Sequence, residues 1–190
     1  MAVSMVKGQR ISLEKPGGGG LTKVRMGLGW DAIKKKGFFG SREQEIDLDA
    51  TVVVYAGDQI ADVVYFGQLT SRDGSIRHTG DNRTGAGDGD DETIQVDLAR
   101  LPVHVTSLVF VVNSFQGQTF NEVANAFCRL VDDQTGAELA RYTLTGGGSH
   151  TAMVMARIYR NGDAWKMNAI GEPAMGRTFQ DILPTLSAHA

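Results

Sequence analysis

Residues 45–55 read EIDLDATVVVY, and their alternation decides what kind of fold the chain adopts. Successive side chains of extended backbone point to opposite faces, so Ile46, Leu48, Ala50, Val52 and Val54 share one face. The β-branched and aromatic run from Thr51 to Tyr55 suits a pleated, buried strand. Asp47 and Asp49 project together from the other face. Two carboxylates side by side on such a strand are costly unless something positive meets them.

The same period of two recurs along the chain. VKGQRISLEK, LTKVRMGLGW, IDLDATVVVY, ADVVYFGQL, ETIQVDL, SLVFVVNSF, ANAFCRLVD, ELARYTLT, TAMVMARIYR and AWKMNAIG each read as a strand. Turn signals separate them, among them GGGG at 17–20, AGD at 56–58, SRDG at 71–74 and RNGD at 160–163. Helical spacing is scarce. Asp97–Pro102 fits one capped turn, and RTFQDILPTLSA near the C-terminus fits a short helix. The expectation is an all-β sandwich of two antiparallel sheets, about five strands each, with one or two short helices. No repeat or linker interrupts the pattern, so residues 1–190 read as a single domain.

Composition narrows the function. A chain of 190 residues with 42% hydrophobic content can bury a substantial core, and a net charge of -3 does not fit a nucleic-acid binder. The single cysteine, Cys128, excludes an internal disulfide, and no apolar run reaches the length of a membrane span. A cytoplasmic protein is the expectation. The charge is unevenly placed. Residues 78–92, HTGDNRTGAGDGDDE, carry five acids and one base, a charge of -4 that leaves +1 for all the rest.

That segment has the parts of a site for a hard cation. Carboxylates, the amide of Asn82, the hydroxyls of Thr79 and Thr84, and carbonyls on glycine-rich backbone can converge on one point. With His78 the sole nitrogen donor nearby and no neighbouring cysteine, the donors argue against zinc and copper. Calcium suits crowded, irregular oxygen donors better than magnesium, which demands a stricter octahedron. Five loop carboxylates with Asp47 and Asp49 exceed the need of one ion, which points to two. The plainer alternative is a solvated acidic loop. Asp81 to Glu92 has the length of an EF-hand loop, but Arg83, Gly85 and Ala86 break its pattern and strands flank it. No phosphate-binding GxxxxGK[ST] motif occurs.

GDNRTGAGDGDDE at 80–92, EIDLDA at 45–50, GLGWD at 27–31 and VVNSF at 111–115 together closely resemble the TerD family of bacterial tellurium-resistance and general-stress proteins. The resemblance runs nearly end to end. It implies a calcium-binding β-sandwich with a pair of adjacent calcium ions held by loops at one end. It also implies a cytoplasmic role in resistance to tellurite, oxidative stress and other insults, beside other ter-operon products. Carried over residue by residue, the acidic motif falls on Asp81, Asn82, Asp88, Asp90, Asp91 and Glu92. The DLD motif falls on Asp47 and Asp49, and Asp31 of GLGWD occupies a further motif position.

Other residues read more plainly. Cys128 shares a strand face with Ala126 and Leu130, the setting of a buried core thiol. His78 could ligate metal or sense pH, but reads best as a solvated strand-end residue. Asn113 reads either as a strand-end amide bonded to backbone or as a residue facing the calcium end. Trp30 is expected to pack near that end, over the site. Lys34–Lys36 reads as a solvated loop, with contact to anionic lipid as the alternative. Ser114, Ser149 and His150 form no triad spacing and no GxSxG elbow exists, so the chain is not read as an enzyme. A calcium-dependent membrane-surface module is the competing functional class.

Overall fold

The structure is a computed structural model that describes residues 2–15, 17–32, 34–37, 40–43, 47–80, 89–143 and 148–190. For 31, 32, 34–37, 40–43, 124 and 125 the description is of backbone alone. Two six-stranded sheets face each other. The first runs in the order β1 (Val3–Ser4), β12 (Glu138–Thr143), β11 (Val123–Asp132), β3 (Lys23–Ala32), β9 (Glu92–Asp97) and β8 (Ile76–His78). The second runs β2 (Arg10–Ser12), β14 (Ala164–Ala174), β13 (Ala152–Asn161), β10 (Ser107–Ser114), β6 (Leu48–Ala56) and β7 (Gln59–Val64). Neighbours pair antiparallel except β1 with β12, which is parallel.

All ten expected strands are present, and β1 and β8 bring the sheets to six strands each rather than five. At two and three residues, those strands are too short to show a period. One further difference concerns the lysine run. Lys34–Lys36 belongs to β4 (Lys34–Gly37), which pairs with β5 (Gly40–Glu43) in a separate hairpin, so it is not a loop. Asp97 caps a turn, accepting a hydrogen bond from the Arg100 backbone N–H at 3.2 Å, with no helix formed.

The core between the sheets takes Leu48, Ala50, Val52 and Val54 from β6, as the alternation requires, with Ile94 and Val96 from β9. Val24, Met26, Leu28 and Trp30 of β3 join them. The opposite face of β6 is buried as well. Val53 and Tyr55 lie with Val109 and Val111 in a second cluster closed by Ile182 and Leu186. Those two come from the expected C-terminal helix, which forms as a 3-10 turn (Phe179–Ile182) followed by α1 (Leu183–Ser187). Asp181 caps this segment by accepting from the backbone N–H groups of Arg177 and Thr178 at 2.8 and 3.0 Å. Burying each large apolar side chain under it contributes roughly 1.5–3 kcal/mol. Among the described residues no helix is long and apolar enough to cross a membrane.

Candidate metal centre

The GLGWD stretch has a geometric reason for its glycines. Val24, Met26, Leu28 and Trp30 point inward from β3, so Gly27 and Gly29 face outward, yet both are buried. The end of the acidic segment lies over them. A Cβ at Gly27 would sit 2.2 Å from the Asp90 carboxylate carbon. One at Gly29 would sit 2.5 Å from the Phe127 ring and 2.6 Å from the Gly89 carbonyl oxygen. The same crossing is tied by hydrogen bonds. The Asp91 N–H donates to the Leu28 carbonyl at 2.7 Å, and the Trp30 N–H donates to Asp91 Oδ2 at 2.9 Å. Trp30 itself points into the inter-sheet core, so its part in the site is played by its backbone.

Glu92 turns the other way, into the sandwich. Its side chain is 1% exposed, and its Oε2 accepts from the Ala50 N–H of β6 at 2.7 Å. It thereby links the start of β9 in the first sheet to β6 in the second. His78 lies against it, with Nε2 3.3 Å from Glu92 Oε2. His78 Nδ1 accepts from the Gly80 N–H at 3.0 Å, which places the hydrogen of the neutral ring on Nε2. His78 is 1% exposed, so the expectation of a solvated strand-end residue is corrected. It touches Gly80 and Glu92, which flank the glycine-acid segment, and so holds that segment's two ends together.

Asp90 lies on the outer face of the first sheet. Arg129 Nε and Nη2 donate to its two oxygens at 2.6 and 3.1 Å, and the same guanidinium reaches Glu138 at 3.1 Å. This bidentate pairing, with Glu138 adding to it, raises the Arg129 pKa above its ordinary value, despite partial burial. Asp47 and Asp49 are 4% and 5% exposed. Asp49 faces outward from the second sheet, directly opposite Asn113 of β10 in the antiparallel register. Asp49 and Asp90 are thus on opposite outer faces of the sandwich and do not converge on one point.

Of the candidate ligands, Asp47, Asp49, Asp91 and Glu92 are brought to one end of the sandwich, where β6 and β9 begin. Asp81, Asn82 and Asp88 lie outside the described residues, and Asp31 is described by its backbone, paired with Ala124. Among the described residues no three His, Cys, Asp or Glu side chains form a metal-holding cluster. Among the described residues the side chains at this end offer mainly oxygen, from the four carboxylates and the Asn113 amide opposite Asp49, with the His78 ring the nitrogen nearby, and oxygen donors suit a hard divalent cation such as calcium.

Two other readings resolve cleanly. Ser114 Oγ donates to Gln118 Oε1 at 3.0 Å, and the His150 ring stacks on Phe120 with centroids 4.8 Å apart. Cys128 is 2% exposed, and burial pushes its thiol up to about 12. Dithionitrobenzoate should therefore leave Cys128 unmodified in the folded protein and label it at full stoichiometry on unfolding. A raised folded value means the stability contribution of the neutral thiol is complete below about 8.5, where the unfolded chain ionises. It is lost as pH rises toward about 12. Cys128→Ala should flatten that alkaline loss in denaturation curves taken as a function of pH.

A β-sandwich with an acidic end tied across both sheets is the class these features define. The chain belongs to the TerD domain family, whose model matches residues 1–184. It is 50% identical over 184 residues to the tellurium resistance protein TerZ of Serratia marcescens, covering 95% of this chain and 94% of that protein. It is 41% identical to the stress response protein SCP2 of Bacillus subtilis (strain 168), covering 96% and 98% of the two chains. Among solved structures it is similar to the crystal structure of a homologue of telluride resistance protein (TerD) from Streptomyces coelicolor A3(2). That match has a TM-score of 0.71 at 25% identity and covers 85% of this chain and 95% of the other.

Proposed function

We propose that this protein is a cytoplasmic, calcium-binding stress-response protein that contributes to resistance against tellurite and other chemical or oxidative insults. It acts without catalysis, as a sensor, scaffold or adaptor working beside other stress proteins of the ter type. The stress-response part is supported by relatives named for tellurium resistance and stress response across nearly their whole length. One observation carries the calcium part. Buried Asp47 and Asp49 flank Leu48 at the start of β6, where Glu92, closing the acidic motif, accepts from the Ala50 N–H.

The carboxylates of Asp47, Asp49, Asp91 and Glu92 repel one another, and two calcium ions would bring +4 against the -4 of residues 78–92. Binding to the folded state alone stabilises it by about 2.7 kcal/mol once free calcium reaches ~100 times the dissociation constant. Thermal melts in calcium and in chelator test this, and coincident melting curves would defeat the calcium reading. Asp91→Asn should remove most of the shift.

A second reading has its own observation. Phe66 and Phe115 are 38% and 45% exposed and stack edge-on at 5.7 Å, giving an apolar tip that a membrane-surface module would use. Calcium-dependent co-sedimentation with anionic liposomes would favour that reading over the adaptor.

A further inference from the structure

The outer face of the first sheet carries a cleft of about 310 Å³, bounded by β3, β9, β8, the turn before β8 and the turn after β9. In the antiparallel register Gln95 of β9 stands between Arg25 of β3 and Arg77 of β8, and two residues along, Lys23 faces Asp97. Arg100 enters from the turn after β9. Its Nη2 comes within 3.7 Å of where a Cβ would stand on Gly74, which itself has a φ of 71°. The acids here are already engaged. Asp97 pairs with Lys23 at 3.7 Å and accepts from the Arg100 backbone N–H, while Asp133 pairs with Arg25 at 3.3 Å. Asp73, beside Gly74, accepts from the hydroxyls of Ser71 and Ser75 at 2.6 and 2.7 Å. The exposed guanidinium groups of Arg77 and Arg100 form no ion pair or hydrogen bond among the described residues, and neither does the half-buried Gln95 amide.

What the cleft leaves open is donor capacity. Two guanidinium forks bring two positive charges, and the Gln95 amide adds its N–H groups. A carboxylate has two oxygens and is answered by one fork. A phosphate monoester is a tetrahedral dianion with three terminal oxygens, so it can engage both forks and cancel both charges. Field lines concentrate in such a recess and favour the dianion further. The space exceeds what a phosphate alone fills, and no aromatic ring lines the remainder. Asp97 and Asp133 keep lone pairs that can accept from hydroxyl groups on the body of the ligand.

We propose that this cleft binds a small phosphate monoester with a hydroxylated body, of the sugar-phosphate class. Its phosphate lies between Arg77 and Arg100, and its hydroxyls meet Gln95, Asp97 and Asp133. No candidate calcium ligand lines the cleft, so the site stands apart from the acidic end and does not rest on the calcium reading. A phosphorylated metabolite would give the protein an input separate from any metal.

The test is calorimetric titration of the full chain, in chelator, with ribose 5-phosphate and glycerol 3-phosphate as probes. Ribose, glycerol and inorganic phosphate serve as controls. Saturable binding of at least one ester is expected, with its parent alcohol and inorganic phosphate each at least about tenfold weaker. Arg77→Gln and Arg100→Gln should each weaken that binding at least about tenfold. Both side chains are exposed, with no partner to lose among the described residues, so the melting temperature should not move. Lys166→Gln, on β14 of the second sheet, removes the same charge elsewhere and should leave binding unchanged. No saturable binding by either ester, or undiminished binding in Arg77→Gln, would overturn the proposal. An equal loss in Lys166→Gln would overturn it too, by reducing the effect to overall charge. Equal binding of ester and inorganic phosphate would do the same, since nothing would then hold the body. Calcium binding without ester binding sinks this proposal alone, and ester binding without calcium binding sinks the calcium reading alone.

Discussion

Glu92→Ala is expected to cost roughly 3 kcal/mol of stability, even without calcium. The substitution strips the Ala50 N–H of its acceptor and leaves the His78 ring facing an empty volume inside the sandwich. Each buried polar group left unmatched costs about 1–3 kcal/mol, and the void adds to it. For a chain of this size the melting temperature should fall by roughly 6–12 °C. Glu92→Gln keeps an oxygen that can accept from Ala50 and should lose about 1 kcal/mol. Urea denaturation of the three proteins in chelator measures both numbers. If Glu92→Ala unfolds within about 0.5 kcal/mol of wild type, the cross-sheet tie is not a structural bond of consequence.

Gly29→Ala is expected to have the opposite profile, with a modest effect on the fold and a large one on the site. Its methyl would meet the Phe127 ring and the Gly89 carbonyl, and the latter is backbone that cannot rotate aside. The segment 89–91 must lift from β3, stretching the bonds from Asp91 to Leu28 and from Trp30 to Asp91. Overpacking of this kind costs about 1–3 kcal/mol. A ligand set displaced by a fraction of an ångström should bind calcium at least about tenfold more weakly. Gly27→Ala makes a useful comparison, since its methyl would strike the Asp90 carboxylate, which Arg129 holds in place. Calcium affinities unchanged in both variants would mean that this crossing does not position the metal donors.

The strands were legible because a period of two survives in long, apolar segments such as β6 and β10. The C-terminal turn was expected within RTFQDILPTLSA, and its capping by Thr178 and Asp181, three residues apart, came only from the structure. His78 was not legible. Ile76-Arg77-His78 is too short to show a face, although Ile76 inward implies His78 inward two residues on. The cleft was beyond the sequence altogether, because the meeting of Gln95 with Arg25 and Arg77 depends on a register between strands far apart in the chain. GLGWD could be recognised as a motif, but the reason for its glycines lies in the segment packed over them. The two outward faces of Asp49 and Asp90 were equally hidden, since sequence alone groups all the acids together.

Calorimetric titration of calcium into the chelator-stripped protein, at millimolar magnesium, tests the central claim most directly. About two equivalents should bind with submicromolar to micromolar affinity, in the range of calcium sensors, and Asp91→Asn should lose most of that heat. No calcium heat, in a protein that melts identically in calcium and in chelator, would contradict it.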